Sequence, residues 1–107
     1  MLLNTWIRRT KIEMPAICIG QIHVKDAEAW KQYRSRVGAT IAQYGGELLF
    51  RGQQQRLLSG EMSHESMVAL RFENIDAANR WHDSTEYQAL VPIRDRAADV
   101  TLILYES

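Results

Sequence analysis

Residues 16–45, AICIGQIHVKDAEAWKQYRSRVGATIAQYG, change their hydrophobic period partway along. Ala16 to Val24 is rich in β-branched residues and carries no helix cap, which reads as a strand. Asp26 then offers a carboxylate to orphan N–H groups, and Glu28 follows where the helix dipole favours an anion. Trp30, Tyr33, Val37, Ile41 and Tyr44 form one apolar stripe at helical spacing, and Gly45 can adopt the left-handed conformation that ends a helix. The stretch is therefore a strand followed by a helix over Ala27 to Tyr44.

Downstream, GELLFRG at Gly46 to Gly52 reads as a second strand, continuing through Gln53 to Leu58 with a bulge at Gly52. A polar turn over Ser59 to Glu65 leads to a third strand, Met67 to Phe72. Asn74 or Asp76 starts a second helix through Asp83, with Ile75, Ala78 and either Trp81 or His82 inward. Ser84-Thr85-Glu86 breaks and recaps it. Pro92 suits the first turn of a last helical piece, Ile93 to Ala98, before the final strand Val100 to Tyr105. The order is βαββαβ: an α+β, ferredoxin-like fold with a four-stranded antiparallel sheet and two helices on one face. Upstream of Met14 the pattern is lost. Residues 1–13 read as an N-terminal extension, either an upstream start or, given Trp6 and Ile7, an arm exchanged with a partner, and 14–107 as the domain.

With 107 residues there is chain for a single core, and 46% apolar with 24% charged residues suits a globular domain. The 13 basic and 13 acidic residues cancel, so bulk charge recruits neither nucleic acid nor an anionic membrane. No run approaches the roughly 18 apolar residues of a membrane helix, and MLLNTWIRRTKIE lacks the apolar stretch of a secretory signal. Cys18 alone permits no intrachain disulfide or cysteine-based metal cluster, which suits a reducing cytoplasm.

Strand alternation sorts side chains onto two faces. Cys18, Ile22, Val24, Leu48, Phe50, Val68, Leu70, Phe72, Val100, Leu102 and Leu104 form a uniformly apolar face, expected under the helices. The other face is mixed. Ile17, Ile19, Leu49, Met67 and Ile103 would be bared there in a monomer, beside Gln21, His23, Arg51, Arg71 and Tyr105. Large exposed apolar patches mark interfaces or grooves. The expectation is a homodimer with its sheets face to face, the polar residues converging on a cavity.

Four segments resemble the DUF1330 family of dimeric α/β barrels: MPAICIGQIHVKD from Met14, YGGELLFRGQ from Tyr44, VALRFEN from Val68 and ANRWHDSTEYQALVPIRDRAA from Ala78. The combination of the Tyr-Gly-Gly helix exit, Arg51-Gly52, and Trp81, Ser84, Tyr87, Gln88 and Arg94 in one stretch carries the likeness. It implies the ferredoxin-like fold and a barrel-forming homodimer, and no activity. His82 departs from the family, which usually has an aromatic residue after the tryptophan.

His23, at the end of the first strand, and His82, beside Trp81, are the candidate proton-transfer groups; each reads equally as a surface or strand-end residue. Arg51 and Arg94 are candidate anion clamps, with an ion pair to Glu47, Glu61 or Glu73 as the structural alternative. Trp81, Ser84 and Tyr87 are candidates for a pocket mouth, or else a cap and two core aromatics, and Tyr105 for a hydrogen-bond donor. His64 reads as a solvated turn residue, and the three histidines show no metal spacing. No P-loop, dinucleotide fingerprint or nucleophile elbow occurs, so no cofactor is expected. The partners expected are a second copy and a small organic acid or aromatic ligand, taken by a cofactor-free enzyme or binder in the barrel cavity. A non-catalytic dimeric module is the alternative, and an RNA-binding sheet is disfavoured because strand three offers Met67, Ala69 and Arg71 rather than stacked aromatics.

Overall fold

The computed structural model describes residues 14–106, so the expected extension 1–13 lies outside them. The order is β1 (Ala16–Val24), α1 (Ala27–Gln43), β2 (Glu47–Gln53), β3 (Ser66–Phe72), α2 (Ile75–Asp83), α3 (Thr85–Gln88), α4 (Val91–Ala97) and β4 (Ala98–Glu106). The strands make one four-stranded sheet in the order β2-β3-β1-β4, each neighbouring pair antiparallel. This is the expected α+β, ferredoxin-like arrangement. None of the described helices is long and apolar enough to cross a membrane.

Local chemistry explains the element ends. Asp26 Oδ1 accepts from the N–H groups of Glu28 and Ala29, both at 3.1 Å, and fixes the start of α1. Gly45, at φ 76°, turns the chain out of that helix. Asn74 caps α2 by accepting from Ala77 N at 2.8 Å. Ser84 serves two helices: its hydroxyl donates to Trp81 O at 2.7 Å and accepts from Tyr87 N at 3.1 Å. Ala98, expected in the last helical piece, instead begins β4, where it pairs with Val24.

The core lies between helices and sheet. Phe72, Trp81 and Tyr87 are buried at its centre with Cys18 and Leu70, and Trp30, Val37 and Ile41 of α1 pack against them. Burial pushes the Cys18 thiol up to about 11, so it stays protonated as a small apolar filler.

β2 corrects the expected faces. Leu48 stands opposite Leu70 but Phe50 opposite Ala69, so two residues of β2 meet one of β3. Past this bulge the faces of β2 exchange. Phe50 passes to the open face, and Arg51, opposite Val68, passes to the helix-covered one. Period-two alternation assigns faces only while the register is unbroken. The bulge thus falls at Leu49 and not at Gly52, whose lack of a side chain instead seats the Phe50 ring: a Cβ there would come 2.5 Å from it. β2 also stops at Gln53 rather than reaching Leu58. Residues 54–65 are irregular, tied at the base by Gln54 N donating to Glu65 O at 2.6 Å.

The bulge also completes a row. Phe50 pairs with Ala69, Ala69 with Ile19 and Ile19 with Ile103, so an apolar line crosses all four strands on the open face.

A candidate ligand cavity between α1 and the sheet

α1 lies over the apolar face of the sheet with Trp30, Tyr33, Val37 and Ile41 turned toward it, while β2 forms the sheet's edge. Between α1 and β2 is a cavity of about 640 Å³. Its floor is Ile22, Val68, Leu70, Val100 and Leu102, and Trp81 is part of its wall. Small-molecule sites have this size and this mostly apolar lining.

Arg34 and Arg51 line the cavity from α1 and β2. Neither is bonded to a carboxylate among the described residues, although six ion pairs occur elsewhere in them. Partial burial, then the Arg34 charge, holds the Arg51 guanidinium below its ordinary value. Two unneutralised cations above an apolar floor favour an anion between them, because a guanidinium grips carboxylate oxygens with parallel N–H groups. A second recess of about 430 Å³ shares Trp30, Arg34 and Arg51 and adds Lys31 and Ser35, extending the cationic rim.

Behind the cavity runs a buried polar chain. Arg94 Nη1 donates to Tyr87 Oη at 3.1 Å, and Tyr87 Oη lies 2.9 Å from Tyr33 Oη. Burial, reinforced by Tyr87, holds the Tyr33 phenol far above its ordinary value, so it is protonated at any working pH. Trp81 Nε1 donates to Thr40 Oγ1 at 3.0 Å, and that hydroxyl donates to Val37 O at 2.7 Å.

The structure disperses the residues singled out from sequence. Arg51 lies on the helix side, away from the mixed face, and Glu47 faces Arg71 at 3.9 Å instead. Arg94 takes Asp95 as its ion partner at 3.0 Å, not Glu47, Glu61 or Glu73. Trp81 (2% exposed) and Tyr87 (0%) are core aromatics, the former reaching the cavity wall, and Ser84 is the cap between α2 and α3. His23 and Tyr105 share the open face but stand opposite Asp99 and Ile17, six positions apart on β1, or about 20 Å. His82 is half-exposed, its Nδ1 3.2 Å from Asp83 Oδ1. His64 Nδ1 lies 2.8 Å from Ser63 Oγ in the loop.

His23 Nδ1 lies 2.8 Å from Glu65 Oε1, and Glu65 also borders the cavity. That hydrogen bond and the carboxylate charge raise the His23 pKa; the same bond lowers that of Glu65. Among the described residues no three His, Cys, Asp or Glu side chains gather where they could hold a metal ion.

Sequence reading missed Arg34, Thr40 and Glu65. For Arg34 a signal existed: Gly38, four residues on, is a poor choice inside a helix, yet it borders the cavity and a Cβ there would meet nothing within 4 Å. Thr40 and Glu65 gave no such signal, since their partners are 41 and 42 residues away.

The family model of a domain of unknown function, DUF1330, matches residues 15–107. Among solved structures, the RPA0582 protein of unknown function from Rhodopseudomonas palustris superposes with a TM-score of 0.77 at 19% identity, covering 89% of this chain and 83% of its own. SnoaB, a cofactor-independent oxygenase from Streptomyces nogalater, gives 0.63 at 11% identity, covering 88% and 93%. A dimeric ferredoxin-like protein of unknown function from Thermobifida fusca gives 0.60 at 14%, covering 89% and 92%. No curated protein matches. At these identities the likeness is one of fold.

Proposed function

The chain belongs to the DUF1330 family, and from that premise we propose that it is a homodimer whose subunits each bind a small, largely apolar organic acid between α1 and the sheet. The observation that carries this is the Arg34–Arg51 pair, without a carboxylate partner among the described residues, over an apolar floor. Both guanidiniums are exposed and Arg34 repels Arg51 at the rim, so an anion that completes the site relieves that repulsion.

The dimer is supported by the line Phe50–Ala69–Ile19–Ile103, in which Phe50 is 56% and Ile103 44% exposed in the single chain. A second copy laid on that row would remove it from water, and a dimeric protein is among those sharing the fold. A barrel interior between two such sheets would be a separate space, on the other side of the sheet from Arg51. A cytoplasmic setting agrees with the lone buried thiol, and zero net charge weighs against nucleic acid.

A second reading is cofactor-free chemistry on the bound acid. It is favoured by the His23–Glu65 pair, in which Glu65 borders the cavity and its carboxylate makes the imidazole a stronger base, with His23 itself on the open face, and by the cofactor-independent oxygenase of the same fold.

Isothermal titration with 4-phenylbutanoate tests the binding reading. The wild type should bind, and Arg51→Ala and Arg34→Ala should each weaken binding by about tenfold, the loss of roughly 1.4 kcal/mol. Absence of binding, or affinity indifferent to both arginines, would overturn it.

A further inference from the structure

Resting on that reading, we infer that the ligand is a keto acid, its carbonyl oxygen received by the Tyr33 hydroxyl while Arg34 and Arg51 hold its carboxylate. The direction of each hydrogen along the Arg94–Tyr87–Tyr33 chain points there. An arginine can only donate, so at 3.1 Å from Arg94 Nη1 the Tyr87 oxygen accepts. Tyr87 is fully buried, and its own O–H needs an acceptor. The oxygen in reach is that of Tyr33, at 2.9 Å. Tyr33 therefore accepts, and its hydrogen is left over.

No acceptor for that hydrogen is present among the described residues. Tyr33 is 7% exposed, which leaves it little bulk water, and the open space it borders is the α1 cavity. The opposite direction, Tyr33 donating to Tyr87, would leave the Tyr87 proton with no partner at a fully buried position, the costlier arrangement. The cation of Arg94 at the far end polarises the chain toward the cavity and makes Tyr33 a stronger donor than an isolated phenol. Arg34 and Tyr33 are adjacent on α1 and both border the cavity, so one ligand can meet both. Carboxylate at the arginines, apolar body on the floor and carbonyl at Tyr33 describe a keto acid.

The test compares two probes that differ by that oxygen, 4-phenylbutanoate and 4-oxo-4-phenylbutanoate, titrated into the full-length protein. The wild type should prefer the keto acid by about tenfold. Tyr33→Phe should abolish the preference while keeping the affinity for 4-phenylbutanoate. Should that variant fail to fold, Arg94→Met, which frees Tyr87 to turn its hydrogen, should cut the preference by at least about threefold. Equal wild-type affinities, with both acids still weakened by Arg51→Ala, would overturn the Tyr33 assignment and leave the acid site standing. A preference that survives Tyr33→Phe would also overturn it. If neither acid binds, the acid site fails and the assignment with it.

Discussion

Arg51 stands across the ladder from Val68, and Val68 packs under α1; a single extra residue in β2 has moved a charged side chain from the open face to the cavity. If Arg51 is held there for a ligand, reversing its charge should separate stability from binding. Arg51→Glu can pair with Arg34 across the rim. Melting in urea should show stability unchanged or raised by up to about 1 kcal/mol, while affinity for 4-phenylbutanoate falls at least tenfold. A variant that loses stability as well would mean Arg51 serves the fold.

Thr40 is the acceptor for a buried indole, Trp81 Nε1 at 3.0 Å. Thr40→Val keeps the shape and removes the oxygen, stranding a buried donor. Unfolding free energy should drop by about 1–3 kcal/mol. Thr40→Ser retains the oxygen and should lose less. Equal losses in the two variants would indicate that packing of the threonine methyl, not the hydrogen bond, matters there.

Gly38 sits in the middle of α1, exposed, with space around it. Gly38→Ala should raise stability by about 0.5–1 kcal/mol through helix propensity alone. Gly38→Phe, which puts bulk at the rim, should weaken binding of 4-phenylbutanoate at least about tenfold without loss of stability. Undiminished binding would place the ligand away from α1.

These residues show where sequence reading succeeds. The boundaries of β1, the Asp26 cap, the Gly45 exit and the stripe of α1 are local: each follows from residues within a turn or two of one another. The faces of β1, β3 and β4 were legible for the same reason, alternation being unbroken along them. The site was not. The side of the sheet to which Arg51 points depends on a bulge at Leu49 that neither glycine nor proline announces. Arg34 gains meaning from a strand that begins 13 residues later in the chain, and the Tyr33–Tyr87–Arg94 chain joins residues 54 and 7 apart. Such relationships exist only once α1 has been laid on the sheet.

The His23–Glu65 pair gives a pH signature. The folded-state pKa of His23 is raised above 6.5, so its contribution is full below that value and is lost as pH rises through the folded pKa. That of Glu65 is lowered below 4.5, so its contribution is present above 4.5 and lost as pH falls through the folded value. The pair therefore stabilises most between about 4.5 and 6.5 and weakens on either side. Both side chains are half-exposed, so the effect is small and sensitive to salt. Melting temperatures of the wild type and Glu65→Gln should converge as pH rises from 6 to 9; curves that stay parallel would show that the bond contributes nothing.

The row Phe50–Ala69–Ile19–Ile103 and the α1 cavity lie on opposite sides of the sheet, and one variant can separate them. Ile103→Glu places a carboxylate at the β4 end of the apolar row, where a second copy would have to bury it unpaired. Sedimentation should then show a monomer where the wild type is a dimer. Because Arg34, Arg51 and Tyr33 all belong to one subunit and sit on the far side of the sheet, that monomer should bind 4-phenylbutanoate within about threefold of the wild type. Were the ligand held instead inside the barrel between two sheets, affinity would vanish with the dimer. A wild type that sediments as a monomer would remove the second copy from the row and leave the cavity untouched.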